Sequence, residues 1–488
     1  MIENQNLKFL YLTVFVCGFV VMAFEIIGSR VLAPFFGTST YIWVSIIGII
    51  LLAMSAGYYY GGQQADKSQN SKRLASFILL AAIFICLMNL GKNQFLMPLA
   101  SLGVHALIAS STAALLLFGP TAFLLAAVFP YALRLGLTNI ENSGKAAGRF
   151  YAVSAIGSIL GTFLSATVLI PAFGTTNILW ILASLLLLLG IIIGRQSNKI
   201  LIGITVLSLI SNVAFSRLSR SYLDVDSAYN RIWIYDALAQ GREARYMSLN
   251  GHVNAGMWVD NPISEQLFPY SEYFNLCEHF NPSFEHCLML GAGGYSYPKL
   301  FQEQYPDKQM DVVEIDPELT KLSTEHFHFV QASSTRIFHQ DARMYLRSVQ
   351  KKYDIIINDV FTSPFEVPFH MTTQECYQQI EDRLNTDGIM LSNVLGSIEG
   401  VHSLFLKSQV KTAISVFDNV IVFQVDDGQD AAIKNNILVA YNGLEKQIET
   451  SQKNRVQNML DQQIVLENLN SATILTDDYA PANWLLQQ

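Results

Sequence analysis

Between residues 9 and 215 the chain is a succession of long apolar runs, separated by short polar stretches. Runs fall near 9–28, 42–61, 74–91, 107–134, 150–171, 176–194 and 200–216. A membrane span needs roughly 20 consecutive apolar residues, and most of these runs reach that length. The first is too long for a cleaved signal peptide, lacks a small-residue cleavage site and is followed by further spans. The last is short enough to be interfacial.

Beyond residue 221 the pattern changes. Arg231–Tyr235 and Tyr246–Leu249 read as strands, followed by Asn250-Gly251, a hairpin-type turn. From 286 onward short apolar strands alternate with helical stretches. Leu288–Leu290 ends in Gly291-Ala292-Gly293-Gly294. Met310–Val313 ends in Glu314-Ile315-Asp316, Arg336–His339 in Asp341, and Asp354–Ile357 in Asn358-Asp359. Gly388–Asn393 is the fifth. Such alternation predicts a parallel sheet with helices on both faces, and ligands there bind at the carboxyl ends of the strands. Every polar residue just named sits at such an end.

The chemistry follows from those positions. A glycine turn at Gly291 and Gly293 lets the backbone approach a ligand where a Cβ would clash. Glu314 lies 23 residues beyond Gly291, close to the roughly 20 expected for an acid that accepts hydrogen bonds from ribose hydroxyls. Asp341, followed by Ala342, is placed to accept from an adenine amine. Asp359 closes the reactive end. Together they predict a nucleoside site. Asp316 precedes Pro317 and reads as a helix N-cap. No phosphate-binding P-loop pattern occurs.

Composition sharpens the division. The chain is 51% hydrophobic and 14% charged, against about 25% charged in soluble proteins. Residues 1–220 hold 13 Lys+Arg and 4 Asp+Glu, whereas 221–488 hold 18 and 35. The acidic second part argues against a nucleic-acid partner. Five scattered cysteines without a CxxC pair read as buried reduced thiols, with no metal site. Basic residues in the 62–73, 135–149 and 195–199 loops fall on one side if 107–134 is a single span, and that side should be cytoplasmic. Seven spans would then place 221–488 outside. Cofactor supply favours the cytoplasm, with 200–216 not crossing fully. Glu25 and Arg30 lie about 140° apart on a helix and are poor mutual partners. Glu25 is a candidate functional group, and Arg30 is expected to snorkel. The small residues of 148–161 should let helices pack closely.

VVEIDP (312–317), QDAR (340–343) and YDIIIND (353–359), with SAYNRI (227–232), LNG (249–251), Tyr270 and Glu272, resemble the spermidine synthase (polyamine aminopropyltransferase) family over roughly 225–400. FEIIGSRVLAPFFGTSTYIW (24–43), GGQQADK (61–67), GRFYAVSAIGSILGT (148–162) and LTDDYAP (475–481) are similar to its membrane-fused members. The resemblance implies an α-helical transmembrane bundle, then an α/β Rossmann-like (class I S-adenosylmethionine-dependent methyltransferase-type) domain with a small N-terminal β-hairpin region. The expected divisions are 1–220 (about six or seven helices), 221–285 (β-rich) and 286–488 (nucleoside-binding). It further implies Glu314 at the ribose, Asp341 and Ala342 at the adenine, Asn230 and Asn254 in place of two glutamines around the nucleoside, Tyr270 and Glu272 toward the substrate, and Asp359 as the base. The chain departs from the family at Gly294, where an amine-binding aspartate is usual, at Ser271, where a histidine is usual, and at DVFTSP (359–364).

Three functions stand open on this reading. The first is aminopropyl transfer from decarboxylated S-adenosylmethionine to a putrescine-like amine, with Glu366, Asp477 and Asp478 attracting the cation. The second is methyl transfer from S-adenosylmethionine, and the third a non-catalytic nucleoside sensor or transport partner. The expected partners are a lipid bilayer and a small amine, and assembly as a homo-oligomer is open.

Overall fold

A computed structural model describes residues 2–37, 40–102, 104, 106–137, 143–194, 203, 206–207, 222–361, 367–400, 402–425, 433–444, 446 and 454–487. The chain divides into two compact units, Met1–Arg231 and Ile232–Gln488.

The first unit is a helical bundle: α1 (Ile2–Phe36), α2 (Thr40–Lys67), α3 (Ser71–Ser101), α4 (Ala106–Leu117), α5 (Gly119–Gly136), α6 (Ser143–Leu164) and α7 (Ile170–Gly194), with a π-helical turn at Ser165–Leu169. Five apolar helical segments among the described residues are long enough to cross a membrane. The expected single span 107–134 is two pieces. Pro120 has no N–H to donate back into α4, and a new helix begins after Phe118. The 200–216 run lies almost wholly outside the described residues, as do Arg195 and Lys199.

Two backbone-on-backbone seams hold the bundle together. A Cβ on Gly157 would lie 2.1 Å from the Phe15 carbonyl oxygen, and one on Gly161 2.3 Å from that of Phe19, so α6 lies directly on α1. Gly57 and Gly61 of α2 press as tightly on the Phe123 and Ala127 carbonyls of α5. Small residues allow this approach, and dispersion and weak polar contacts hold it. The outward faces are apolar and exposed, as at Leu52, Tyr59, Tyr151 and Phe163.

Helix α7 breaks at Gly174 (φ 70°, ψ 162°), a conformation open to glycine. Asp226, at the end of β1 (Leu223–Asp226), caps the renewed helix. Its Oδ2 accepts from the Thr175 N–H at 2.9 Å and its Oδ1 from the Thr175 hydroxyl at 3.0 Å. The expected loop at 172–175 is therefore a capped break. Arg30 donates to the Ala228 carbonyl. The sequence reading passed over Lys92, which is 4% exposed and donates to the Thr176 hydroxyl at 3.1 Å.

The second unit opens with β2 (Arg231–Ala239), β3 (Arg242–Leu249) and β4 (His252–Trp258), an antiparallel meander. Gln240-Gly241 and Asn250-Gly251 make its two-residue turns, all four residues at positive φ, as the twist of paired strands favours.

A 3-10 helix (Pro269–Asn275) and α8 (Leu276–Phe280) lead into an alternating stretch. Its strands are β5 (His286–Leu290), β6 (Gln309–Val313), β7 (Thr335–Phe338), β8 (Tyr353–Asn358) and β9 (Leu384–Gly396). Its helices are α9 (Ser296–Gln304), α10 (Pro317–His326), α11 (Ala342–Ser348), α12 (Gln374–Asp382) and α13 (Ser403–Ile414). After these come β10 (Asn419–Gln424), β11 (Lys434–Tyr441), α14 (Asn454–Leu460), β12 (Gln463–Ile464) and α15 (Ala482–Gln487).

The sheet order is β12-β10-β11-β9-β8-β5-β6-β7. β5 to β9 run parallel, and β11 enters antiparallel between β9 and β10. This is a methyltransferase-like Rossmann arrangement, with one apolar core on each face. The alternating strands are buried on both faces, as in Ile355–Ile357. That explains their continuous apolar runs.

The α1–α6 seam gives a direct test. Gly157→Leu is expected to lower the melting temperature of the full chain in detergent, at a cost of at least about 1–3 kcal/mol from overpacking. Gly148→Ala, where nothing stands within 4 Å, should leave it unchanged or slightly raised, since alanine favours the helix more than glycine does. Equal melting of both variants would remove the seam as a determinant.

Candidate nucleoside and catalytic site

The carboxyl ends of β5, β6 and β8 converge on the glycine turn. Gly291 takes φ 81°, and a Cβ there would lie 2.3 Å from the Asp359 carbonyl oxygen. Its N–H donates to the Val313 carbonyl and the Asp359 N–H to that of Leu290, so the turn is stitched to both neighbouring strands. Gly293 (φ 51°) faces Asn254 of β4, whose Oδ1 would be 2.9 Å from an added Cβ.

Glu314 is buried at the end of β6. Its Oε2 accepts from the N–H groups of Ala292 and Gly293 at 3.0 and 3.3 Å, and its Oε1 from that of Asp316 at 3.0 Å. Burial raises its pKa, and these three donors oppose the rise. The side chain thus holds the glycine turn in place. Asp316 caps α10, accepting from the Glu318 N–H at 3.2 Å.

Asp341 is more committed than the sequence reading allowed. It is the N-cap of α11, with Oδ1 accepting from the Met344 N–H at 2.9 Å, and its Oδ2 lies 3.5 Å from His370 Nε2. Ala342 follows as the first, buried residue of that helix.

Asp359 follows β8. Its Oδ1 accepts from Asn393 Nδ2 at 2.9 Å, and the Tyr270 hydroxyl also donates to the carboxylate. Burial pushes its pKa up to about 6, against the pull of the two donors. Tyr270 is held protonated, its pKa well above 10, by burial and by the charge of Asp359.

The remaining expectations fare differently. Glu272 is paired with Arg455 of α14 through both carboxylate oxygens, so its charge is already matched. Asn230 belongs to the first unit, where its N–H donates to the Ser227 hydroxyl at 2.8 Å. Glu366 and Pro364 lie outside the described residues. Asp477 is already engaged: Arg343 and the Thr373 hydroxyl donate to it at 3.0 and 2.7 Å. All five cysteines are buried, and none is in a disulfide.

Asn358 and Asn393 were missed as side chains with a role. Asn393 closes the expected fifth strand, so its place at a carboxyl end was the signal. The β-meander's approach to the glycine turn had none, because Ala255 lies against Gly294 only through the fold. A Cβ on Gly294 would be 2.5 Å from that of Ala255.

These features define an α/β transferase-type site at the carboxyl edge of a methyltransferase-like sheet. Residues 275–425 carry a Spermine/spermidine synthase domain. The chain is 28% identical over 233 residues to a polyamine aminopropyltransferase of Vibrio vulnificus, covering 45% of this chain and 75% of that protein. It is 35% identical over 155 residues to one of Streptococcus uberis, covering 30% and 50%. Likeness to a probable polyamine aminopropyl transferase of Bifidobacterium longum is 30% over 132 residues, covering 27% and 29%. A probable spermidine synthase structure from Corynebacterium glutamicum overlaps 55% of this chain and 94% of its own at 21% identity, with a TM-score of 0.42. The polyamine aminopropyltransferases to which the chain is similar are transferases.

The Asp359 environment has a stability signature. The folded state holds its proton up to about pH 6, whereas an unfolded aspartate releases it near pH 3.9. Stability is therefore lost as pH rises through that window, by at most about 3 kcal/mol. Asp359→Asn lacks this loss. Its melting temperature relative to the unsubstituted chain should climb from pH 4 to pH 6 and level off above. A difference independent of pH would show that Asp359 titrates normally.

Proposed function

We propose that the chain is a membrane-anchored aminopropyltransferase, moving an aminopropyl group from decarboxylated S-adenosylmethionine to an amine, with Asp359 as general base. The observation that carries this reading is the Asp359 carboxylate. It is clamped by two donors beside the glycine turn, with a pKa of about 6. Near neutral pH it is ionised, yet basic enough to take a proton from an ammonium as the nitrogen attacks. The nitrogen–carbon bond forms as the carbon–sulfur bond breaks, and the sulfonium leaves as a neutral thioether. No leaving-group acid is required, and positioning supplies much of the rate. Glu314 holds the ribose, Asp341 offers Oδ2 toward the adenine, and Tyr270 stays protonated as a donor.

A second reading, methyl transfer from S-adenosylmethionine, draws on Gly294. Ala255 fills the space a side chain would take there, so no carboxylate at that position receives an amine.

Transfer and nucleoside binding separate the roles. Asp359→Asn should lower turnover by about 10²–10⁴-fold, with less than about tenfold change in nucleoside affinity. Glu314→Ala should lose nucleoside binding by calorimetry. Normal turnover by Asp359→Asn with the decarboxylated donor would sink the aminopropyl mechanism.

The apolar outer faces of the bundle support insertion in a bilayer. Supply of the nucleoside favours a cytoplasmic second unit. A reporter fused after Gln488 should then be active only inside the cell; activity only outside would reverse the orientation.

A further inference from the structure

The base proposed above is held by a residue that the functional reading leaves unused. Asn393 lies on β9, which runs parallel to β8 with Asn358 opposite Ser392. It therefore stands one step beyond that pair, level with Asp359. Its side chain is 5% exposed, and Nδ2 reaches Asp359 Oδ1 at 2.9 Å. Its own Oδ1 is buried without a hydrogen-bond partner among the described residues. An amide turned the other way would aim that oxygen at the carboxylate, so only one orientation is tolerated. A residue kept merely to fill space would be better apolar, because a buried acceptor left without a donor is destabilising. The neighbouring Asn358 also has a buried Oδ1 without a partner, but its Nδ2 donates to the Ser392 hydroxyl at 3.2 Å and bridges the two strands, whereas that of Asn393 is spent on the Asp359 carboxylate.

We propose that Asn393 is a positioning residue, which fixes the direction of the Asp359 carboxylate and keeps it in the ionised, proton-accepting form. The proposal rests on the reading of Asp359 as the base and deepens it. The surroundings of Asp359 are few in kind. The 3-10 helix contributes the Tyr270 hydroxyl, β9 contributes Asn393, and the turn after β5 contributes the backbone of Gly291. Burial favours the protonated acid, and Tyr270 and Asn393 are the groups that oppose it. Without Asn393, Tyr270 alone stabilises the charge, and the carboxylate loses one of the two donors that fix its direction.

Infrared titration of the full chain in detergent tests this without needing turnover. The protonated carboxyl band of Asp359 is assigned by its loss in Asp359→Asn. Its midpoint should lie near pH 6 in the unsubstituted chain. Asn393→Leu should raise the midpoint by about one pH unit or more, a tenfold change in proton affinity. Nucleoside affinity should shift less than twofold. Asn393→Gln, which keeps an amide donor, should bring the midpoint back down. In the transfer assay Asn393→Leu should lower kcat at pH 7 with KM unchanged, and recover at higher pH. An unchanged midpoint in a folded Asn393→Leu chain overturns the proposal. If that variant does not fold, Asn393→Asp serves instead: two adjacent carboxyls must share a proton, so an unchanged midpoint is again decisive. Absence of amine transfer by the unsubstituted chain defeats the functional reading but leaves the infrared result to judge Asn393.

Discussion

The close approach of Gly291 to the Asp359 backbone is the constraint around which the second unit is arranged. With a Cβ position 2.3 Å from a carbonyl oxygen, the turn after β5 can lie there only as glycine. Because it lies there, the N–H groups of Ala292 and Gly293 face the Glu314 carboxylate across the end of β6. The Asp359 side chain is itself buried, and that burial lifts its proton affinity. Glu314 and Asp359 thus flank the glycine turn from β6 and β8, the two strands beside β5 in a single parallel sheet.

What could be read from the chain follows the range of each physical effect. Apolar strands ending in polar residues reveal the parallel sheet, because burial on both faces leaves a continuous signature in Leu288–Leu290 or Ile355–Ile357. Asn250-Gly251 announces its turn through backbone freedom alone, and Asp316-Pro317 announces a capped helix. The antiparallel strands β10 to β12 had no such marker, since their place in the sheet order is set by distant partners. Partnerships between charged groups were also illegible. Nothing near Glu272 in sequence points to Arg455, or near Asp477 to Arg343; these pairs span 183 and 134 residues. Lys92 escaped notice because the apolar run 74–91 ends just before it, whereas the helix continues to Ser101.

Most of these carboxylates are already engaged within the chain. A polyamine carries several ammonium groups, each best met by a negative charge. Here Glu272 and Asp477 are matched to arginines, Asp341 caps a helix, and Gly294 has no room for an acid. Asp359 and Glu314 differ from these in having neutral donors as partners, side chains for the one and backbone N–H groups for the other.

The glycine seams of the bundle have a consequence for its making. α1 lies against α6, whose key glycines stand about 140 residues further along the chain. At a synthesis rate of roughly 5–20 residues per second, α1 emerges about 7–28 s before its partner exists. During that interval the α1 face that receives Gly157 and Gly161 is without them. Closure of this seam therefore waits on translation, and a factor that shelters α1 has that interval in which to act.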